Sequence, residues 1–202
     1  MSRSFRPMGK LSRVTGINLE SKGRTIPPEK SFRNFNAGKA TRRSSEYGKQ
    51  LIAKQVIRYT YGVSEKQFYY YMKKAQVNKG VTGTILLQQL EQRLDNVVYR
   101  LGFTATRKEA RQLVSHKGVI LNGKVNNIPS YLVSPGDIIK LTNSASEQMR
   151  IQEAIKKNEE FPISEWLSLN MKEYEATFVR FPERHEMSMD FNENLVVEYY
   201  SR

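Results

Sequence analysis

The chain has 202 residues, with 33 Lys+Arg against 20 Asp+Glu and a net charge of +13, and its pI near 9.9 is the footprint of a polyanion binder. It contains no Cys, which excludes disulfides and cysteine-held zinc, and no stretch approaches the roughly eighteen consecutive apolar residues of a membrane span. Nor does it carry a G-x-x-x-x-G-K-[ST] or G-x-G-x-x-G phosphate loop, so an enzyme is disfavoured and no cofactor is expected.

Residues 1–43 lack apolar periodicity and are rich in Arg, Lys, Gly and Pro, including Pro27-Pro28. Alone, such a segment is expected to be disordered. Its cations are spaced throughout rather than clustered as an address signal, and the start M-S-R-S-F-R has no hydrophobic signal region, so the segment reads as a basic extension that orders against a polyanion. Ser44 or Ser45 caps a helix running to about Tyr61, with Leu51, Ile52, Val56 and Tyr59 as its apolar side. Gly62 ends it, and Ser64 with Gln67 forms a capping box for a helix through about Asn78. That helix bears Phe68, Tyr69, Tyr70, Tyr71 and Met72, for which core packing on one face with hydrated phenols on the other is preferred to base stacking.

Leu86, Leu87, Leu90, Leu94, Val97, Val98 and Leu101 recur at three- and four-residue spacing and predict one helix, stopped by Gly102, with Arg93 and Arg100 on the surface away from the stripe. Thr106 with Glu109 is a capping box for the next helix, with Ala110, Leu113 and Val114 inward. Its first turns carry Arg107, Lys108 and Arg111, where the helix dipole disfavours cations, so an outside anion is expected to compensate them. After His116, Lys117 and Gly118, the strands Val119 to Leu121 and Lys124 to Asn126 flank Asn122-Gly123, a type I′ hairpin signal. A turn at Ser134-Pro135-Gly136-Asp137 leads into a strand at Ile138 to Leu141. Beyond it, Ser144 to Asn158 has helix-like composition, Phe161 to Leu169 with the single Trp reads as a packed loop, and Thr177 to Phe181 and Asn194 to Tyr199 read as short strands or extended ends.

The charge is unevenly spread. Residues 1–50 hold 12 Lys+Arg against 3 acids, residues 51–140 hold 14 against 5, and residues 141–202 hold 7 against 12. The first two thirds are therefore expected to face nucleic acid, and the acidic tail to face water or a basic protein.

The run R-L-D-N-V-V-Y-R-L-G-F-T-A-T-R-K-E-A-R-Q-L-V from Arg93 to Val114 resembles the S-four (alpha-L) RNA-binding domain, which a ribosomal protein shares with several RNA-modifying and tRNA-charging enzymes. S-S-E-Y-G-K-Q-L-I-A-K-Q-V-I-R-Y-T-Y-G-V-S-E-K-Q-F from Ser44 to Phe68, T-F-V-R-F-P-E-R from Thr177 to Arg184 and F-N-E-N-L-V-V-E-Y-Y-S-R from Phe191 to Arg202 resemble, in the same order, segments of the universal uS-four ribosomal protein family. Where members of that family often carry a P-G-Q-H-G turn, this chain reads N-F-N-A-G-K from Asn34 to Lys39.

The resemblance implies an α+β protein. It has a basic extended N-terminus over 1–43 and a helical domain over 44–90 that is joined by residues 190–202. A second domain over 91–189 is inserted, with helices, a small antiparallel sheet and the RNA-binding module at about 93–153. It implies a structural constituent of the small ribosomal subunit that binds a helical junction in the five-prime domain of its rRNA, nucleates assembly of the subunit body and contributes to translational accuracy. Arg93, Arg107, Lys108, Arg111, His116, Lys117 and Lys124 are expected to grip rRNA backbone from the module, and Arg42, Arg43, Lys49, Lys54 and Arg58 from the helical domain. Backbone rather than base readout is expected, because most hydrogen bonds to nucleic acid go to phosphate and sugar and the deep groove of A-form RNA excludes side chains. A neighbouring small-subunit protein of universal family five, and mRNA as it passes into the subunit, are the further partners implied. The location is the ribosome, in bacterial cytoplasm or, for an organelle-encoded chain, in a plastid or mitochondrion.

The alternative is a free-standing RNA-modifying enzyme or RNA chaperone with the same module. Arg93-Leu94-Asp95 resembles the R-L-D of pseudouridine synthases, in which the Asp is the nucleophile, but the following Asn96-Val97-Val98-Tyr99 continues an amphipathic helix. Asp95 is thus read as a helix-surface carboxylate paired with a neighbouring Arg, and no catalytic residue is assigned. His116 and His185 lack partners at ligand spacing, so no metal site is expected; His116 is placed at the helix end as a cap and backbone contact.

Overall fold

A computed structural model describes residues 45–158, 163–171, 173–187 and 191–201, together with Leu11, Ser12, Thr15 and Leu19. The chain divides into two compact units, Met1–Leu87 with Ser188–Arg202, and Gln88–Met187. The four described N-terminal residues are buried, and the Leu19 N–H donates to Ser12 Oγ at 3.1 Å.

The first unit is helical over its described residues. Helix α1 (Glu46–Thr60) starts at Ser45, whose side chain accepts from the Gly48 N–H, and α2 (Glu65–Val77) starts at Ser64, which accepts from the Gln67 N–H. These hydroxyls satisfy N–H groups that have no partner within the helix. The α1 face that turns inward differs from the expected apolar side: Gln50, Lys54, Val56 and Ile57 are buried, whereas Ile52 is exposed. The reason lies at the other end of the chain. Asn194 to Tyr199, expected as strand or extended, lies within helix α8 (Glu193–Ser201), which lies along α1. Gln50 there donates to Glu198 at 2.9 Å, and the rings of Tyr47 and Tyr199 lie 5.7 Å apart. Phe68, Tyr71, Met72 and Ala75 of α2 are buried, with Val196 of α8.

The unit boundary falls inside α3 (Thr82–Glu91). The single helix expected from Leu86 to Leu101 is instead two, because α4 begins anew at Leu94–Arg100. Between them Arg93 is extended (φ −60°, ψ 132°) and bridges Leu132; the Leu94 N–H donates to Tyr131 O at 2.8 Å, and the Val133 N–H to Gln92 O at 2.9 Å. Backbone bonds lost from the helix are thus remade with the 129–133 segment. The apolar spacing continues across the break, since Leu86, Leu87, Leu90, Leu94, Val97 and Val98 are all buried. Gly102 follows α4 at φ +83°, and Asn158 donates to its carbonyl at 2.7 Å. An added Cβ there would lie 3.1 Å from the Asn158 Cβ, so both backbone sign and space favour glycine.

In the second unit α4 packs on α5 (Arg107–Ser115). Strands β1 (Val119–Leu121), β2 (Lys124–Val125), β3 (Ile138–Leu141), β4 (Leu167–Asn170) and β5 (Glu175–Phe178) form one antiparallel sheet in the order β2-β1-β3-β5-β4. The α+β architecture expected from the sequence is the one observed. Side chains alternate across a strand, and the register Val119 opposite Leu141, Leu121 opposite Ile139, and Ile139 opposite Ala176 sets one apolar face toward α4 and α5 residues of the same core. Ser144 to Asn158 folds as two pieces, α6 (Asn143–Ser146) and α7 (Met149–Asn158). The expected Trp loop contributes strand β4, and Trp166 is buried with its ring 5.4 Å from Phe178.

Candidate nucleic-acid interface

The module's cations are set by a polar network on α4. Arg93, with none of its surface exposed, donates to both oxygens of Asp95 (3.1 and 2.7 Å), and Arg111 reaches the same carboxylate at 3.0 Å. Asn96 donates to Glu91, whose carboxylate also takes both Nε and a terminal nitrogen of Arg100 (3.0 and 2.6 Å). The Asn96 carbonyl in turn accepts from Arg107 Nε at 2.8 Å, and the Arg107 guanidinium lies 4.4 Å over the Tyr99 ring. Planar guanidinium groups suit such bidentate and stacked positions better than an ammonium would.

Arg93 is therefore withdrawn from the expected contact set: a fully buried side chain has nothing to offer a phosphate. Asp95 pairs with arginines as expected, but it is buried rather than on the helix surface, and Arg100 pairs with Glu91 instead. A carboxylate already held by two guanidinium groups is not a free nucleophile. The cations at the start of α5 are in part compensated from within. Arg111 meets Asp95, and Glu109, in the capping box Thr106 opens, accepts the Ala105 N–H at 3.1 Å while the Thr106 hydroxyl accepts from the Glu109 N–H at 3.2 Å. Arg107 and Arg111 remain partly exposed and Lys108 exposed, so the first turns still present positive charge outward.

The far end of α5 carries the next group. His116 is the exposed C-cap; the Lys117 N–H donates to Val114 O and the Gly118 N–H to Leu113 O, both at 3.0 Å. This paired reversal closes helices most comfortably with glycine at the left-handed position, yet here that position, φ +63°, is Lys117. Asn122 (φ +49°) and Gly123 (φ +79°) make the expected positive-φ hairpin turn. The Asn122 side chain donates to Asp137 at 2.8 Å and accepts the Ile138 N–H at 2.9 Å, tying the hairpin to the turn before β3. Lys124, opposite Leu121 in the register, is exposed.

In the helical unit the expected cations fare differently from one another. Lys54 is buried; its ammonium donates to Glu65 at 2.7 Å and sits 4.4 Å over the Tyr199 ring, so it too belongs to the interior. Arg58, partly exposed, bonds the other Glu65 oxygen at 2.7 Å, and the Tyr200 hydroxyl donates to the first at 3.0 Å. Partial burial acts to raise the Glu65 pKa, but the hydrogen bonds from Lys54 and Tyr200 and the charges of Lys54 and Arg58 outweigh it and hold the carboxyl below its usual range. Burial, with the adjacent Glu65 charge, pushes the Tyr200 hydroxyl well above the usual phenol range. Lys49 is exposed beside Glu46, and Arg42 and Arg43 lie outside the described residues. One cationic face that spacing and motif did not single out is that of α2, where Lys66, Lys73 and Lys74 are exposed.

Among the described residues no group of three or more His, Cys, Asp or Glu is placed to hold a metal ion, and no helix is long and apolar enough to cross a membrane.

Two family models match the chain: the S4 domain over residues 92–139, and the ribosomal protein S4/S9 N-terminal domain over residues 3–91. Over the whole of both chains, it is 48% identical to the small ribosomal subunit protein uS4 of Teredinibacter turnerae. The proteins of the same name from Chromohalobacter salexigens and Alkalilimnicola ehrlichii are 47% and 45% identical to it, again over the whole of both chains.

Proposed function

The chain belongs to the uS4 family of small ribosomal subunit proteins, and on that premise we propose that it binds a helical junction in the five-prime domain of small-subunit rRNA. It is a structural, rRNA-binding constituent of the subunit and not an enzyme. The observation that carries this is similarity along the entire length of both chains, rather than over the RNA-binding module alone, and it leaves the free-standing modifying enzyme unsupported.

The finer role is inferred from the geometry. Arg107, Lys108, Arg111, His116, Lys117 and Lys124 line α5 and the β1–β2 hairpin, and with Arg58 and Lys49 of α1 they are the described candidates for backbone contact; Arg42 and Arg43 are proposed with them from the sequence. Arginines held by α4 carboxylates and amides present fixed forks, which favours reading of RNA shape over reading of bases. Fixing a junction in this way would nucleate the body of the subunit. Contact with a neighbouring protein of universal family five, and with mRNA entering the subunit, would link the protein to decoding accuracy. The bacterial relatives favour a bacterial cytoplasmic ribosome over an organellar one.

Sedimentation of cell extract tests the role: the protein is expected in the small-subunit peak at moderate salt, and its absence from that peak overturns the reading. Footprinting of the purified protein on small-subunit rRNA tests the junction, with protection expected where several helices meet in the five-prime domain.

A further inference from the structure

Helix α2 buries Phe68, Tyr71, Met72 and Ala75. Its other side carries Lys66, Tyr70, Lys73, Lys74 and Val77, spaced three and four residues apart along two to three turns. Tyr70 is 63% exposed and Val77 86%. Every charge on this side is positive, because the only acid of the helix, Glu65, is taken up by Lys54 and Arg58.

The four aromatic residues of α2 have different fates. Phe68 and Tyr71 are buried. Tyr69 has partners, with the Tyr200 ring at 5.8 Å and the Lys73 ammonium 5.6 Å over its own ring. Tyr70 meets Tyr71 edge-on at 6.2 Å, and most of its surface stays in water. A solvated lysine face alone is common and says little. An uncovered ring set among three lysines, with no acid on the same side, is the arrangement used to hold unpaired nucleotides, in which the ring stacks on a base while ammonium groups meet the flanking phosphates.

We propose that the Lys66, Tyr70, Lys73 and Lys74 face of α2 is a second rRNA contact, in which Tyr70 stacks on an unpaired base and the lysines meet adjacent phosphates. Charge complementarity selects a polyanion over an apolar or basic protein. The stacking ring selects an unpaired nucleotide over a duplex, whose bases are already stacked and sit in a groove that side chains cannot enter. Every base has a π-face, so this contact holds RNA without selecting its sequence. The inference rests on the chain binding rRNA, and it adds to that reading a set of residues and a single-stranded element.

The test uses the full-length protein and a small-subunit rRNA transcript, titrated at several salt concentrations. Tyr70→Ala is expected to weaken binding about fivefold or more, and Tyr70→Phe to stay within roughly twofold of the parent, because stacking needs the ring and not the hydroxyl. Lys66→Ala with Lys73→Ala should lower the steepness of the log-affinity against log-salt line by about 2, one unit for each phosphate released. Thermal unfolding of each variant should match the parent, since all three side chains are exposed. Parental affinity in Tyr70→Ala overturns the inference while leaving rRNA binding intact. Equal weakening by Tyr70→Ala and Tyr70→Phe overturns stacking, and so does a Tyr70→Ala effect confined to the protein's self-association in sedimentation. Failure of the parent to bind the transcript overturns the rRNA-binding reading and this inference together.

Discussion

Helices α2 and α5 each carry three cations toward solvent, but they hold them in opposite ways. On α5, Arg107 is fastened to Asn96 and Tyr99, and Arg111 to Asp95. On α2, Lys66, Lys73 and Lys74 are exposed on flexible stems, with Lys73 over an aromatic ring. Anchored guanidinium groups have already lost much of their rotamer freedom, so binding costs them less and their geometry can discriminate RNA shape. Loose ammonium groups act as point charges, and their contribution should come mainly through counterion release. Net charge alone does not separate these two kinds of surface.

The largest effect that can be made to divide the two helices is at the root of the α5 network. Asp95→Ala leaves the guanidinium of Arg93 buried without its carboxylate, and removal of one partner of a buried pair costs about 3–5 kcal/mol. Urea unfolding should show that loss; no variant confined to the outward face of α2 should approach it.

Next come the anchored cations themselves. Arg107→Ala and Arg111→Ala are each expected to weaken rRNA binding by about 1–2 kcal/mol and to make it less salt-sensitive. The structure adds a distinction between them, since Arg111→Ala also takes one of two arginines from Asp95 and should lower folding stability as well. Unchanged affinity in both variants would remove the start of α5 from the contact surface.

Lys117 offers a smaller effect with opposite signs for folding and binding. Lys117→Gly relieves a left-handed backbone position and should raise stability by about 0.5–1 kcal/mol. The same change deletes an exposed charge, so rRNA affinity should fall. A variant that gains in both would show that Lys117 is only a helix end.

The smallest effect is one of pH. The Glu65 carboxyl titrates lower in the folded chain than in the unfolded one, so the unfolded state binds more protons in that range. Its contribution to stability is present above the unfolded-state value of about 4.3 and is lost as pH falls through the lower folded-state value. Glu65→Gln should flatten that part of the acid-stability curve. An unchanged curve would mean that Lys54, Arg58 and Tyr200 do not act through the carboxylate charge.

Much of the site could be read in advance because its signals are local. Thr106 and Glu109 mark the start of α5, Asn122-Gly123 marks the hairpin, and the alternation in Ile138 to Leu141 marks a strand, since each depends on residues within a few positions of one another. Two readings failed where a distant segment intervenes. The apolar stripe from Leu86 to Leu101 is real, but periodicity is blind to the bridge from Arg93 to Leu132 that splits the helix. The β-branched pair Val196-Val197 suggested an extended end, and packing along α1 overrides that weak preference.

From its order of residues alone the chain declares an α+β protein with a helix-and-hairpin RNA grip and a basic first two thirds, because caps, turns and apolar periods are written in neighbouring positions. Which of its cations face outward could not be read there. Arg93 and Lys54 look like surface charges until Asp95 and Leu132 enclose the one and Glu65 and Tyr199 the other. Burying a charge requires a counter-charge and hydrogen bonds from all sides, and for these two residues part of that set is brought up from another part of the chain by folding.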